Sequence, residues 1–400
     1  MISERPINYY TATFMPPKGY ATTHFDMVTA EDIGIYKFDI LSQRGLGKIK
    51  DAISIIAKNY PNVSPIDIHD IKYFKSDEKI KKLLRLGKVI GCFYVESPAM
   101  RMLLKKLQVN NYLGLVAASS IIRPGVARSG MMQEYILRCR IPERMKQAHP
   151  IMLEIMPETF GIMVYQEDVI KVAHYYGKLD LGEADVLRRG MSGKYRGRSE
   201  FIAVKEKFFA NCIREKYPIE EIHEVWRQIE SFAGYAFAKG HSASYAVESY
   251  QSLFLKAYYP LEYLVATLNN FGGFYQTELY VHEARMHGAL ISPPCVNTGE
   301  LETTISDKHI ILGFILTKSI EISTIKKITT CRAKEGRFKS LSDFIKRVPI
   351  SIEQLTLLIK IEAFRFTKKN SYELLWESHM KINKINMEVQ TFNLFKIAQK

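Results

Sequence analysis

The stretch Phe232–Gln251, FAGYAFAKGHSASYAVESYQ, combines small residues with two basic side chains and several tyrosines. Small residues allow a backbone to approach a ligand or another helix closely. The lysine and histidine, Lys239 and His241, supply groups suited to phosphate, and rings such as those of Tyr235 and Tyr245 offer faces on which a base can stack. The same composition is equally typical of ordinary packing between helices. This stretch alone therefore leaves a nucleotide-binding and a purely structural interpretation open.

Length and composition bound the class of protein. The chain has 400 residues, 47% of them hydrophobic, so it is long enough for two or three domains with an apolar core. Its 56 Lys and Arg against 42 Asp and Glu give a formal charge of +14, which favours a polyanionic partner such as nucleic acid, although a merely basic protein fits the charge too. The five cysteines are widely spread without a Cys-x-x-Cys pair, which indicates reduced thiols rather than a zinc site or disulfides. No apolar run reaches the roughly 18 residues of a membrane span, and no signal peptide is evident, so we expect a cytoplasmic protein without membrane contact.

Hydrophobic periodicity predicts a mainly α-helical protein. The segment Ile33–Leu41, IGIYKFDIL, alternates and predicts a short strand, whereas the residues before it have no regular pattern. From Gly47 the period becomes helical, and helices of about 10–20 residues follow up to a turn at Pro293–Pro294. Beyond this turn, the sequence predicts a β pair near Glu302–Ile305 and His309–Gly313 and then further helices.

Further segments occur in order along the chain: ESPAMRMLLKKL (Glu96–Leu107), SSIIRPGVARSGM (Ser119–Met131), HPIMLEIMPETFGIMVYQEDVIKVA (His149–Ala173) and LGEADVLRRGMSGK (Leu181–Lys194). Together with Phe232–Gln251 they resemble the fingers of the bacterial DNA polymerase III alpha subunit, and the resemblance extends from about Tyr20 to about Phe366. It implies a multi-helix fingers domain, a short N-terminal β element from the palm and a small helix-hairpin-helix-like C-terminal domain. The implied boundaries are the end of the palm at 1–46, fingers at 47–297, a clamp-binding domain at 298–370 and a linker at 371–400.

Asp39 is the candidate catalytic carboxylate and metal ligand. The predicted strand would hold it rigidly, but a strand-edge acid without a catalytic role fits the same position. In the family that the chain resembles, a Lys-Phe-Asp segment supplies the third catalytic carboxylate, and Asp39 matches it. The family's other two carboxylates lie in an Asp-x-Asp motif, which this sequence lacks. Because one carboxylate cannot hold two Mg²⁺ ions, we expect an internal piece of the enzyme that does not polymerise alone.

The resemblance assigns the triphosphate to basic residues on two segments. Arg188 and Arg189 have guanidinium forks that suit triphosphate oxygens, although charge runs are usually solvated helix faces. Lys239 and His241 match the second basic element of the same site. The tyrosines expected beside them are Tyr235 and Tyr245. Gly240 stands where we expect Ser in most relatives, which leaves the pose of a ligand undefined.

Other cations are candidates for DNA contacts. Arg123 and Arg128 flank a Pro-Gly turn that lies near DNA in the family, although a plain helix-breaking loop fits equally well. A basic run within 79–88 fits either phosphate contacts or a solvated helix face. The hairpin Leu316–Ser319 lacks the glycines with which relatives hold a DNA phosphate, so the charge of Lys318 would partly replace that backbone contact. The remaining candidates are Lys194, Arg196 and Arg198.

The C-terminal segment Gln390–Phe395, QTFNLF, resembles the Gln-x-x-Leu-Phe peptide that such polymerases insert into the sliding clamp. The candidate contacts are Gln390, Leu394 and Phe395, with one residue more than usual between the first two. A chance match of six residues is an equally good interpretation.

The resemblance thus implies a bacterial, nucleoid-associated DNA-directed DNA polymerase that uses two Mg²⁺ ions to add deoxynucleotides to a primer 3′-OH. Its implied partners are primer–template DNA, a deoxynucleoside triphosphate (dNTP), the sliding clamp (the beta subunit) and other replicase subunits. A second hypothesis is a non-catalytic module that binds DNA and the clamp, and a third is an unrelated helical protein that binds RNA. Loss of Asp39 separates the first two, since it would abolish complemented activity but leave DNA binding nearly unchanged.

Overall fold

The computed structural model describes residues 3–17, 19–36, 42–122, 129–191, 198–232 and 238–381. The chain separates into two compact units, residues 1–46 and 47–400. Helices predominate among the described residues, which confirms the predicted mainly α class. No helix in these ranges is long and apolar enough to cross a bilayer.

The described part of residues 1–46 contains short elements. Strand β1 (Thr13–Phe14) pairs antiparallel with β2 (Thr22–Thr23), where the sequence predicted no regular structure. Helix α1 (Met27–Asp32) follows, and a 3₁₀ turn (Ile7–Tyr9) precedes the strands.

The prediction of a strand over Ile33–Leu41 is wrong for its first two residues, which form a turn. Asp26 caps α1 by accepting the backbone N–H of Thr29 at 2.8 Å. The chain then turns at Gly34, whose left-handed φ of 86° suits glycine. Helix capping and a glycine turn therefore outweigh the alternating pattern at this point. Residues 37–41, which include Asp39, lie outside the described residues.

Helices form most of the second unit, as the helical period from Gly47 onward predicts. The first are α2 (Gln43–Asn59), α3 (Ile71–Ser76), α4 (Glu78–Leu86), α5 (Pro98–Leu107), α6 (Tyr112–Ile121), α7 (Met131–Arg140) and α8 (Pro150–Ile155). Next come α9 (Gln166–Lys171), a π-helical turn (Val172–Tyr176), α10 (Leu181–Met191), α11 (Arg198–Arg214), α12 (Ile219–Glu230), α13 (Lys239–Tyr258), α14 (Pro260–Asn269) and α15 (Thr277–Met286). The last are α16 (Ile322–Glu335), α17 (Leu341–Arg347), α18 (Ile352–Lys360) and α19 over 371–381. Short 3₁₀ segments lie at Pro142–Gln147, Pro157–Thr159, Phe314–Leu316 and Arg365–Thr367.

Side-chain caps explain where several of these helices begin. Asp77, Ser97 and Asn111 precede α4, α5 and α6, and each accepts a backbone N–H from three residues further on. Gly87 ends α4 with a left-handed φ of 58°. These are start and stop signals that a sequence displays locally.

Helix α13 is central to the main apolar core of the second unit. It packs against α3, α4, α6 and α14. Its Tyr250, Leu253 and Leu255 are fully buried. The first turn of α13 carries the basic residues of the opening sequence motif, so this core fixes the position of that turn.

A three-stranded sheet, with order β3-β5-β4, follows α15. Strand β4 (Thr304–Ser306) pairs antiparallel with β5 (His309–Ile311), which confirms the predicted β pair. Strand β3 (Leu290–Ser292) pairs parallel with β5 and was missed, since three residues give too short a pattern. A separate apolar cluster, including Phe314, Phe344 and Phe364, packs beneath α16–α18.

A buried charged cluster connects three segments of the second unit. Glu96 is 6% exposed and accepts the backbone N–H of Gly91 at 2.7 Å and that of Phe274 at 2.8 Å. Its two oxygens also accept the hydroxyl of Tyr280, each at 3.0 Å. Lys48 is 4% exposed, and its Nζ donates to the carbonyl of Gly91 at 3.4 Å. Glu96 therefore has a structural role in positioning the loop before α5.

Candidate nucleotide-binding site

Two arginines near the end of α10 share one carboxylate. Nε of Arg188 donates to Oδ1 of Asp185 at 2.8 Å, and Nε of Arg189 lies 2.9 Å from Oδ2. Spacings of three and four residues place all three side chains on one face of the helix. The two arginine side chains are 30% and 49% exposed, so a ligand can reach both. Asp185 thus restricts two guanidinium groups on one accessible face.

Lys239 begins α13, and two glutamates hold it. Its backbone N–H donates to both carboxylate oxygens of Glu167, at 3.2 and 3.0 Å. Its Nζ pairs with Glu158 and lies 5.4 Å from the centroid of the Tyr165 ring. The ion pair with Glu158 is partly exposed at both ends, so solvent screens it.

Helix α9 connects these two basic segments. It packs against α10, which carries the arginines. Its residue Glu167 receives the first N–H of α13. The start of α9 is itself fixed by buried Asp168, which accepts the backbone N–H groups of Val164 and Tyr165 at 2.9 Å each. Burial raises the pKa of the Asp168 carboxyl, while these two hydrogen bonds oppose the shift. The structure therefore attaches both predicted triphosphate elements to one braced helix.

The small residues of the opening motif divide into an exposed and a packed group. Gly240 and His241 are exposed, and a Cβ added at Gly240 would meet nothing within 4 Å, so a serine would fit there. Ser242 is fully buried, with its Oγ 2.5 Å from Oγ of Ser120 on α6. Tyr112 of α6 donates its hydroxyl to the carbonyl of Ala243 at 2.6 Å. The packing interpretation thus holds for Ser242 and Ala243, while the three residues before them are accessible.

The two candidate tyrosines have different outcomes. Tyr245 lies in an aromatic cluster, with ring centroids 5.0 Å from Tyr94 and 5.7 Å from Phe93. Its ring is therefore oriented by neighbouring rings, and stacking on a nucleotide stays a prediction. Tyr235 lies outside the described residues.

Lys318 is exposed in the loop that leads into α16. Gln354 of α18 braces this loop, because it donates to the carbonyl of Ser319 at 2.8 Å and accepts the N–H of Glu321 at 2.9 Å. Ser319 has a φ of 65°, a left-handed conformation that favours glycine. The loop therefore keeps a glycine-like turn although its sequence lacks glycine.

Besides Tyr235, eight predicted site residues lie outside the described residues: Asp39, Arg123, Arg128, Lys194, Arg196, Gln390, Leu394 and Phe395. Arg198 is the first residue of α11. Within the described ranges, no group of three or more His, Cys, Asp or Glu side chains is arranged to hold a metal ion. The metal and clamp assignments stay predictions.

The sequence interpretation overlooked the acidic partners of these cations. Asp185 precedes the two arginines by three and four residues, which is the spacing of helical ion pairs and was a usable signal. The pairing of Lys239 with Glu158 joins residues 81 positions apart, so no local signal indicates it.

Comparison with known proteins agrees with the fold. Residues 45–216 match the bacterial DNA polymerase III alpha subunit finger domain, and residues 288–374 match a helix-hairpin-helix motif. The chain is 32% identical over 380 residues to DNA polymerase III subunit alpha of Aquifex aeolicus (strain VF5), covering 94% of this chain and 32% of that protein. It is 30% identical over 379 residues to the subunit of Staphylococcus aureus (strain COL), covering 94% and 35% of the two chains. The subunit of Campylobacter jejuni (strain ATCC 700819 / NCTC 11168) is 30% identical over 368 residues, covering 88% and 30%.

The chain spans about a third of the length of these curated relatives. The matched finger domain contains α10 with its two arginines, and the matched helix-hairpin-helix region contains the braced loop before α16. The chain therefore belongs to the bacterial DNA polymerase III alpha subunit family.

Proposed function

We propose that the chain binds an incoming dNTP and primer–template DNA as the fingers of a DNA-directed DNA polymerase. The observation that supports this most directly is the accessible pair Arg188 and Arg189, which one carboxylate holds on a matched finger domain. Guanidinium groups bind the non-bridging oxygens of a triphosphate with directed, charge-assisted hydrogen bonds. Lys239 would add a point charge from the helix that α9 connects to the arginines.

In the proposed reaction, a primer 3′-OH attacks the α-phosphate of the dNTP and pyrophosphate leaves. The residues of this chain would bind and orient the triphosphate: the two arginines and Lys239 by charge, and His241 by a hydrogen bond. When no ligand is bound, Asp185 forms ion pairs with the two arginines and Glu158 forms one with Lys239. Triphosphate oxygens therefore have to share or replace carboxylate contacts, which makes binding an exchange rather than a simple addition of charge pairs.

Asp39 is the one residue of this chain that we propose as a Mg²⁺ ligand. It would hold the ion together with carboxylates from another part of the enzyme. When bound, Mg²⁺ would stabilise the negative charge on the phosphates. Because the sequence contains no Asp-x-Asp motif, we propose that the chain alone does not polymerise. The absence of that motif also favours the alternative, a non-catalytic module that binds DNA and the clamp.

The proposed partners beyond the nucleotide are primer–template DNA, the sliding clamp and other replicase subunits. Support for DNA binding is the charge of +14 and the matched helix-hairpin-helix motif with exposed Lys318. Clamp binding would use Gln390–Phe395. The protein is proposed to act in the bacterial cytoplasm at the nucleoid.

The proposal is tested by binding to a fluorescent primer–template with and without the cognate dNTP, for the wild type and for Arg188→Ala/Arg189→Ala. Each lost charge-assisted contact contributes about 1.5–3 kcal/mol, so the double variant should lose at least about tenfold in nucleotide affinity. Lys58→Ala/Arg214→Ala, which removes two exposed cations outside the candidate site, is the matched control and should behave like the wild type. If the nucleotide never tightens wild-type binding while salt weakens wild type and variant alike, the chain is only a basic DNA-binding module.

A further inference from the structure

A basic surface lies where the C-terminal ends of α4, α5 and α7 meet. We define it as the C-terminal patch: Lys88, Lys105, Lys106 and Arg140, all exposed. The stem of Lys105 lies over Gly87, where an added Cβ would be 3.1 Å from its Cε. Nε of Arg140 donates to the carbonyl of Lys106 at 2.8 Å. The four cations are therefore neighbours in space, although they come from three segments.

Contacts within the protein do not neutralise all of the positive charge of the C-terminal patch. Another arginine already serves the end of α4, because Nε of Arg101 donates to the carbonyl of Gly87 at 3.0 Å. A helix C-terminus carries roughly −0.5 charge, so three ends amount to roughly −1.5 against the four cations of the patch. The C-terminal patch thus has more positive charge than its helix dipoles can balance.

Acidic side chains on the same helices do not neutralise the patch. The three helices contain nine Lys or Arg and two Glu. Glu78 pairs with Lys81 at 2.8 Å, and Glu134 pairs with Arg138 and Arg144 at 2.9 and 3.0 Å. Among the described residues, none of the four patch cations has an ion pair. The uncompensated charge therefore faces solvent.

Three of the four cations within α4 contact other side chains, and the fourth, Lys82, is exposed. Lys81 and Arg85 lie near Glu78, and Nζ of Lys79 lies 4.2 Å from the centroid of the Tyr258 ring. The interpretation as an ordinary helix face therefore fits these three residues. Lys88 lies beyond the end of α4 and belongs to the C-terminal patch.

We infer that the C-terminal patch binds the phosphate backbone of duplex nucleic acid without reading its sequence. Flexible Lys and Arg side chains on exposed helix ends suit repeated phosphates rather than one enclosed anion. Among the described residues, the large exposed side chains on the three helix ends are aliphatic, namely Leu86, Met102 and Ile141. The neighbouring ring of Tyr275 is held through its hydroxyl by Arg101, so the helix ends themselves present no ring on which an unpaired base could stack. This inference rests on the proposed function in assuming a nucleic-acid partner, and it adds a surface that is separate from the triphosphate residues.

The experiment compares two quadruple variants of the full chain. One is Lys88→Gln/Lys105→Gln/Lys106→Gln/Arg140→Gln. The control removes four exposed cations outside the patch: Lys58→Gln/Lys178→Gln/Arg214→Gln/Lys216→Gln. Both lose four charges, so a difference between them reports position rather than net charge. Affinity for a mixed-sequence duplex is measured over a salt series, because each phosphate contact contributes about 0.9 to the slope of log affinity against log salt.

The inference predicts that the patch variant loses about 2–4 units of this slope equally on two unrelated duplexes, and the control less than about 1. Lys88→Arg/Lys105→Arg/Lys106→Arg should keep the wild-type slope, since it keeps the charges, and a wild-type circular dichroism spectrum of the patch variant would exclude misfolding as the cause. Equal slopes for patch and control variants would overturn the inference but leave the proposed function standing. If the patch variant lost the binding of the wild type to anionic lipid vesicles but bound the duplex as the wild type does, the inference would be overturned in favour of a membrane surface. A wild type that binds no duplex would contradict the proposed function as well.

Discussion

Replacement of Glu96 by Ala should strongly destabilise the second unit. The carboxylate is 6% exposed and accepts two backbone N–H groups and the hydroxyl of Tyr280. Its removal leaves these donors without their acceptor. Lys48 is 4% exposed and borders Gly273, as Glu96 does. The substitution therefore replaces a negative charge near Lys48 by a cavity. Loss of one partner from such a buried charged cluster costs about 3–5 kcal/mol, and we expect a decrease of this size in the free energy of unfolding.

Urea unfolding can report this change through Trp226, which is 3% exposed and belongs to the same core as the segment before Glu96. The exposed Trp376 should first be replaced by Phe, so that one ring gives the signal. Glu154→Ala is the matched control, because Glu154 is an exposed helical glutamate, and it should change the free energy by less than about 0.5 kcal/mol. A loss of less than about 1 kcal/mol for Glu96→Ala would refute the structural role, since a buried unsatisfied group alone costs about that much.

Two further predictions concern ion pairs. Burial raises the pKa of Glu283, but contacts with His287 and Lys256 outweigh it and lower the pKa to about 2. A depressed folded-state pKa stabilises the protein above the unfolded pKa of about 4.5, so Glu283→Gln should be destabilising at pH 6 and lose its effect as the pH falls towards 2; a pH-independent difference in urea midpoint would contradict this. Glu158→Gln should release Lys239 for triphosphate and tighten nucleotide binding by no more than about fivefold, because partly exposed pairs contribute about 0.2–1 kcal/mol; weaker binding in a titration would show that Glu158 positions Lys239 instead of competing for it.

The sequence predicted the helical architecture because its signals are local. Caps such as Ser97 and Asn111 and the left-handed Gly87 lie within a few residues of the helix ends that they define. The errors arise where an element is short. Strand β3 has three residues, fewer than the four to eight over which alternation identifies a strand.

The candidate site was only partly predictable for a different reason. The basic residues were visible as charges next to small residues, but their partners come from distant parts of the chain. Glu167 is separated from Lys239 by 72 positions, and Glu96 from Tyr280 by 184. Such contacts depend on how helices pack, and a single sequence contains no local pattern that specifies them.

The central claim is that these fingers bind a nucleotide in response to a template. The most direct test is the affinity of the wild-type chain for four primer–templates that differ only in the first unpaired template base, each with each of the four dNTPs. The account predicts that binding tightens only for the complementary nucleotide, and that Arg188→Ala/Arg189→Ala abolishes the effect. Equal tightening by all four dNTPs would contradict the account, because the arginines would then form a triphosphate site without a role in template-directed synthesis.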